Sequence, residues 1–245
     1  MINVMEFTPL MIILVLSIIQ SVFGVGLLLF GTPLLLVMGY DYYQCLSILL
    51  PASIIISLYQ IYDYKKINLD GGYRKKFFLY CVPFLVIGML IGNNLPRFIN
   101  LKYLLCTTLL LSLFMRLKYT AQAKIQTFLK KYLSFALATM GLIHGLTNMG
   151  GSLLTPLVSK LYQDKTKILT GISFDYFFMA LSQLLILLAM GKLSLSVYLL
   201  VNPILAVMVR FIVGKKIHAM TSEKSYQYLI NALILINFFL LLLKK

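Results

Sequence analysis

Charge is scarce in this sequence. Only 12% of its 245 residues are charged, while 60% are hydrophobic, against roughly 25% charged in a soluble globular domain. The shortage excludes water as the main solvent. Strict alternation of apolar and polar residues over about ten positions is also missing, which argues against a membrane β-barrel. Several continuous apolar stretches suffice to cross a hydrocarbon core of about 30 Å, which takes about 20 helical residues, and helices then satisfy the backbone internally. Cysteine is sparse: Cys45, Cys81 and Cys106 lie in or beside apolar runs without metal-ligand spacing, so they read as core thiols, with no disulfide, metal or cofactor expected. No G-x-S-x-G, H-E-x-x-H, G-x-x-x-x-G-K-[ST] or C-x-x-C motif occurs, which leaves neither an ATP site nor a recognisable catalytic set. The first apolar run lacks a basic flank and carries glycine and proline mid-run, so it is expected to belong to the fold rather than to a cleavable signal peptide.

What charge there is has one sign. The net charge of +15 would suit nucleic acid, but the Lys and Arg residues fall almost wholly in short segments between apolar runs, the pattern that orients membrane proteins. No nucleic-acid partner is expected; the lipid bilayer is.

The apolar segments run over approximately 9 to 38, 44 to 62, 77 to 92, 103 to 115, 132 to 159, 168 to 190, 195 to 213 and 226 to 243. Eight segments suggest two sets of four. A shift of about 122 residues superposes Thr32 on Thr155, Pro33 on Pro156, Asp41 on Asp164 and Gln60 on Gln183, and one residue less brings Gly92 onto Gly214 and Lys102 onto Lys224. A nearly constant shift across a whole half points to duplication. The expected organisation is a first repeat over 1–118, a basic cytoplasmic linker over 119–131 and a second repeat over 132–245.

The first and fifth segments, roughly 45 and 42 Å as straight helix, are too long for one untilted crossing. Glycines interrupt each near its middle: Gly24, Gly26 and Gly31 in one, Gly141, Gly145, Gly150 and Gly151 in the other. Thr-Pro follows both times. Threonine caps helices and proline suits their first position, so Thr32-Pro33 and Thr155-Pro156 are expected to start new helices inside the membrane. If both segments return to the side they entered, sixteen loop Lys and Arg residues face the cytoplasm against five outside; if every segment crosses, the division is thirteen to eight. The charge rule favours re-entrant hairpins. The expected fold is an all-α polytopic membrane protein of two inverted repeats, each a broken-helix hairpin plus three transmembrane helices, with both termini outside.

In that arrangement the hairpin tips, near Gly31 to Pro33 and Gly150 to Pro156, converge at the midplane. Helices that begin there aim free N–H groups and the positive end of the dipole at the tip, which favours an anion. Close helix packing is the plainer role for such glycines. Gly151→Val is expected to disturb such a site more than Gly88→Val in the third segment. His144 and Asn148 flank Gly145, where an uncompensated polar group is costly; His144 is either a hydrogen-bonded core residue or a transport residue that titrates near neutral pH. Gln60 and Gln183 could donate to the anion or bond between helices. Asp175 is the only acid well inside an apolar segment and could carry a coupling proton, or pair and snorkel near the end of its segment. Arg210 is expected to snorkel toward the interface, with a role as an anion ligand as the alternative.

The runs GVGLLLFGTPLLLVMG and GLTNMGGSLLTPLV, together with GNNLPRFINLKYL and GKKIHAMTSEKSYQYL before the last segment of each half, resemble the TauE/SafE family of sulfite and sulfonate exporters over nearly the whole chain. The family's triple-glycine turn is replaced here by spaced glycines in the first half and by Gly150-Gly151 in the second. The resemblance implies ion-driven transport of a small sulfur-containing anion such as sulfite or sulfoacetate across the cell membrane of a multi-pass, prokaryotic-type protein. A homodimer is compatible with it. Two alternatives stay open at this point: an intramembrane lipid-acting enzyme with His144 and Asp175 as base and orienter, and a passive anion channel.

Overall fold

The computed structural model describes residues 4–94 and 131–243, apart from 163, 195 and 197, together with residues 103, 106, 107, 109, 110 and 113. About half of the fourth predicted segment and nearly all of the basic linker fall outside the described residues. Those described form helices and no strand.

Each over-long apolar run is two helices. The first divides into α1 (Val4–Phe23) and α2 (Leu27–Val37), and the fifth into what are here α6 (Leu133–Thr147) and α7 (Gly151–Leu161). Between them lie α3 (Tyr42–Asp63), α4 (Gly71–Lys76) and α5 (Val82–Asn94); α8 (Lys165–Ala189), α9 (Tyr198–Val209), α10 (Lys215–Met220) and α11 (Glu223–Leu243) complete the chain. A π-turn, Phe77–Cys81, joins α4 to α5 just ahead of Pro83, whose nitrogen cannot donate. A second π-turn, Arg210–Gly214, joins α9 to α10. Among the described residues, four stretches, Tyr42–Asp63, Gly71–Gly92, Thr166–Ala189 and Tyr198–Met220, are long and apolar enough to span a bilayer.

The Asp41 and Asp164 pair has a local cause. Asp41 accepts from the backbone N–H of Tyr43 and Gln44, whose side chain accepts in return from Asp41 N–H, which is a full capping box. Asp164 accepts from Lys167 N–H at 2.8 Å. Each half thus starts its longest helix, α3 or α8, on a capped turn.

Thr32 and Thr155 do not start helices. α2 begins at Leu27 after Gly26, and α7 at Gly151 after Gly150, so both Thr-Pro pairs lie inside 11-residue helices. The Thr155 hydroxyl donates to the Gly151 carbonyl four residues back at 3.0 Å, a mid-helix bond rather than a cap. Pro33 and Pro156 therefore withhold an N–H from the second turn of each short helix.

Polar side chains are buried among the apolar core, and large apolar ones face outward. Gln20, Gln60, His144, Asn148, Asp175 and Gln183 are fully buried, while Leu79, Phe135, Leu200, Ile204 and Ile212 stand exposed. An apolar exterior suits lipid, where burial of apolar surface gives no drive and polar bonds and close contacts hold helices together. Gly141, Gly145 and Gly88 belong to those contacts rather than to the break. A Cβ on Gly141 would lie 2.1 Å from the Cys81 carbonyl oxygen, one on Gly145 2.2 Å from that of Leu85, and one on Gly88 2.5 Å from that of Leu142. Gly88 is thus as constrained as Gly151, and valine there is no mild control.

α3 and α8 pack against each other in opposite directions. Gln60, near the end of α3, meets Ser173 near the start of α8, while Ser47 near the start of α3 meets Ser194 beyond the end of α8. α5 packs on α6, α9 on α1, α9 on α3 and α5 on α8. Exchanging the halves turns this set of contacts into itself. The loops on either side also touch: the Tyr162 hydroxyl accepts from Asp70 N–H at 3.4 Å and its ring lies 6.3 Å from that of Tyr73.

Candidate functional site

The first break is a turn over Gly24, with φ of 77°, and Gly26. The fully buried Gln20 organises it. Its Oε1 accepts from Leu27 N–H at 3.2 Å, supplying the cap that Gly26 lacks, and its Nε2 is anchored on Ser53 and Ser57 of α3. Gln60 closes the same turn by donating to the carbonyls of Gln20 and Ser21 at 2.9 and 3.2 Å while accepting from Ser173.

The second break is built alike. Asn148 turns the chain in the left-handed conformation, φ of 61°, one that asparagine tolerates better than most residues. His144 Nδ1 accepts from Gly150 N–H at 3.1 Å, which fixes the neutral tautomer with Nε2–H facing Gln183 Oε1 at 3.1 Å. Gln183 returns a bond to the His144 carbonyl at 3.4 Å. A Cβ on Gly150 would lie 2.5 Å from His144 Cβ, so glycine is what lets the ring reach the turn. Gln183 to His144 and Gln60 to Ser21 are the same bond at the same sequence separation, 39 residues.

Thr32 and Asn148 meet: Asn148 Nδ2 donates to Thr32 Oγ1 at 2.7 Å, both side chains fully buried, and Asn148 Oδ1 is left without a partner. Whichever way the amide is turned, one of its ends is unused. Gly150, Gly151, Thr155 and Pro156 follow directly in α7, and Gly31 packs against Leu49 and Leu16. Thr32, in the first predicted tip, and Asn148, just before the second, are thus in contact, while the Gly24 turn lies elsewhere. Gly24 lies against Leu169 and Ile172, about 6 to 10 Å along α8 from its start, and the Gly145 carbonyl accepts from Tyr42 at the opposite end of the bundle.

The matching profile is that of the family described as Sulfite exporter TauE/SafE, over residues 10–240. The chain belongs to the TauE/SafE family. It is a membrane transporter and not an enzyme. No curated protein and no solved structure gives a match.

Within this TauE/SafE protein His144 and Asp175 do not work together. Asp175 is buried on α8, where Oδ2 accepts from the Tyr73 hydroxyl and Oδ1 has no partner; it does not snorkel. Arg210 does not reach the interface either. It is 1% exposed, its Nη2 pairs with Asp63, its Nη1 donates to the Ser21 carbonyl at 3.4 Å, and Lys215 bonds the other Asp63 oxygen at 2.7 Å. The acid that retains it lies at the end of α3, outside the run in which Arg210 was read.

Two residues escaped sequence reasoning. Gln20 carried a usable signal, a polar side chain in an apolar run one turn before a glycine break. Tyr176 carried none, being one of 16 tyrosines.

Proposed function

We propose that this TauE/SafE protein is a secondary active transporter of a small sulfur-containing or organic anion of the sulfite and sulfonate kind. The anion binds near mid-membrane beside the starts of α2 and α7 and moves by alternating access of two inverted repeats in the cell membrane. The observation that carries this reading is the bond between Asn148 and Thr32, which links the two broken helices at a point where half-helix N-termini, rich in N–H groups, lie buried away from water. No buried lysine is needed to hold an anion there. Gln20 and His144 act as stand-in acceptors for Leu27 and Gly150 N–H, and an anion's oxygens are better acceptors for the same donors.

Support for inverted repeats comes from the antiparallel α3 and α8, from contacts that survive exchange of the halves, and from the touching loops around Asp70 and Tyr162. Asp175 is the coupling group in this reading: an intramembrane acid with one oxygen held and one free can take a proton in one orientation and release it in the other. Purified protein in proteoliposomes, given an imposed ion gradient, should concentrate sulfite or a sulfonate above the outside level. Dissipation of a substrate gradient without accumulation would make it a channel.

A further inference from the structure

Tyr176 is the twelfth of the 25 residues of α8 and therefore lies at its middle. The side chain is fully buried, and its hydroxyl has no hydrogen-bond partner. A phenol buried in that state is costly, because it gives up water and gains nothing. Its surroundings are specific. A Cβ on Gly151, the first residue of α7, would lie 2.6 Å from Tyr176 Cε2 and 2.7 Å from its oxygen. The oxygen also lies beside the N–H of Leu29, third residue of α2. The His144 ring is 6.2 Å away, centre to centre. One hydroxyl thus stands between the N-termini of both broken helices.

Both neighbours offer donors and the positive ends of dipoles. The hydroxyl proton has no acceptor among them. A packing role alone would be served as well by phenylalanine, which fills the same ring volume without the unsatisfied oxygen. We infer that the Tyr176 hydroxyl is a direct ligand of the transported oxyanion, donating to one of its oxygens between the starts of α2 and α7. This inference rests on the anion site proposed above and names a residue within it. A charge-assisted O–H to O⁻ bond is short and among the stronger hydrogen bonds. A sulfite or sulfonate group has three oxygens, so one can take the phenol while others face backbone N–H groups.

The test compares wild-type protein with Tyr176→Phe, measuring thermal unfolding of the full chain in detergent across titrations of sulfite and of methanesulfonate. Wild type should be stabilised by at least one of the two. Tyr176→Phe should be no less stable than wild type without anion, and its apparent Kd should rise about tenfold or more, as loss of one such bond implies. Equal affinity in the two proteins would overturn the role of Tyr176 while leaving the anion site standing. A variant less stable than wild type without anion would give the hydroxyl a structural partner and overturn the assignment as well. If neither anion stabilises wild type, the anion site falls and this inference with it.

Discussion

At the residue scale, the protein's polar chemistry is concentrated in a few buried side chains, and their partners divide structural from functional ones. Gln60, Gln183 and His144 have their side-chain donors and acceptors engaged within the turns they hold. Asp175 and Tyr176, neighbours on α8, each keep an oxygen unused. We therefore expect Asp175→Asn to abolish gradient-driven accumulation while exchange of labelled anion across the membrane persists. Accumulation at the wild-type level in that variant, measured in proteoliposomes, would remove Asp175 from coupling. Tyr73→Phe removes a donor to the carboxyl and should weaken coupling without abolishing exchange. Much of this set was legible in the sequence, because a glutamine, histidine or aspartate in an apolar run is conspicuous. Which were spent on holding turns was not legible, since that depends on residues about 40 apart in the chain coming within 3.1 Å.

At the scale of elements, two broken helices and one charged cluster decide the architecture. The breaks were readable from glycine spacing, but the Thr-Pro pairs misplaced the helix starts by six residues in the first broken helix and five in the second. Proline is tolerated inside a short helix when other groups satisfy the backbone it leaves unpaired, so its position marks the helix and not its first turn. Gly151→Ala should displace Tyr176, because its methyl would sit 2.6 Å from the ring; anion affinity should fall at least severalfold. Gly92→Ala is the fitting control, its nearest neighbour being 3.8 Å away, and equal binding by the two variants would make α7's start a packing device. The Asp63, Arg210 and Lys215 cluster gives a second prediction. Asp63→Asn leaves a buried guanidinium uncompensated and should cost about 3 kcal/mol of stability, the lower end for breaking a buried pair. Lys215, 41% exposed at its side chain, should cost less than about 1 kcal/mol on replacement by alanine. Comparable losses from both substitutions, measured by thermal unfolding, would contradict the reading of Arg210 as the partner that matters.

At the scale of the whole molecule, the proposed duplication, read as a near-constant sequence shift, has local chemistry in its support. The same glutamine-to-carbonyl bond recurs in both halves, the same aspartate cap opens α3 and α8, and those two helices run in opposite directions. The sequence could suggest opposite orientation only through charge, because periodicity says nothing about which way a helix runs. Single cysteines at Lys66 and Lys165, in a background without native thiols, should be labelled by an impermeant reagent from the same side, the cytoplasmic one. Labelling from opposite sides would end the inverted-repeat account. The central claim, that this is an ion-driven transporter of a small sulfur-containing anion, is tested most directly by uptake of labelled sulfite into proteoliposomes holding the purified protein under an imposed proton gradient. The account predicts accumulation above the external concentration that collapses with the gradient; uptake that stops at equal concentrations, or none above protein-free vesicles for sulfite and for a panel of sulfonates, would contradict it.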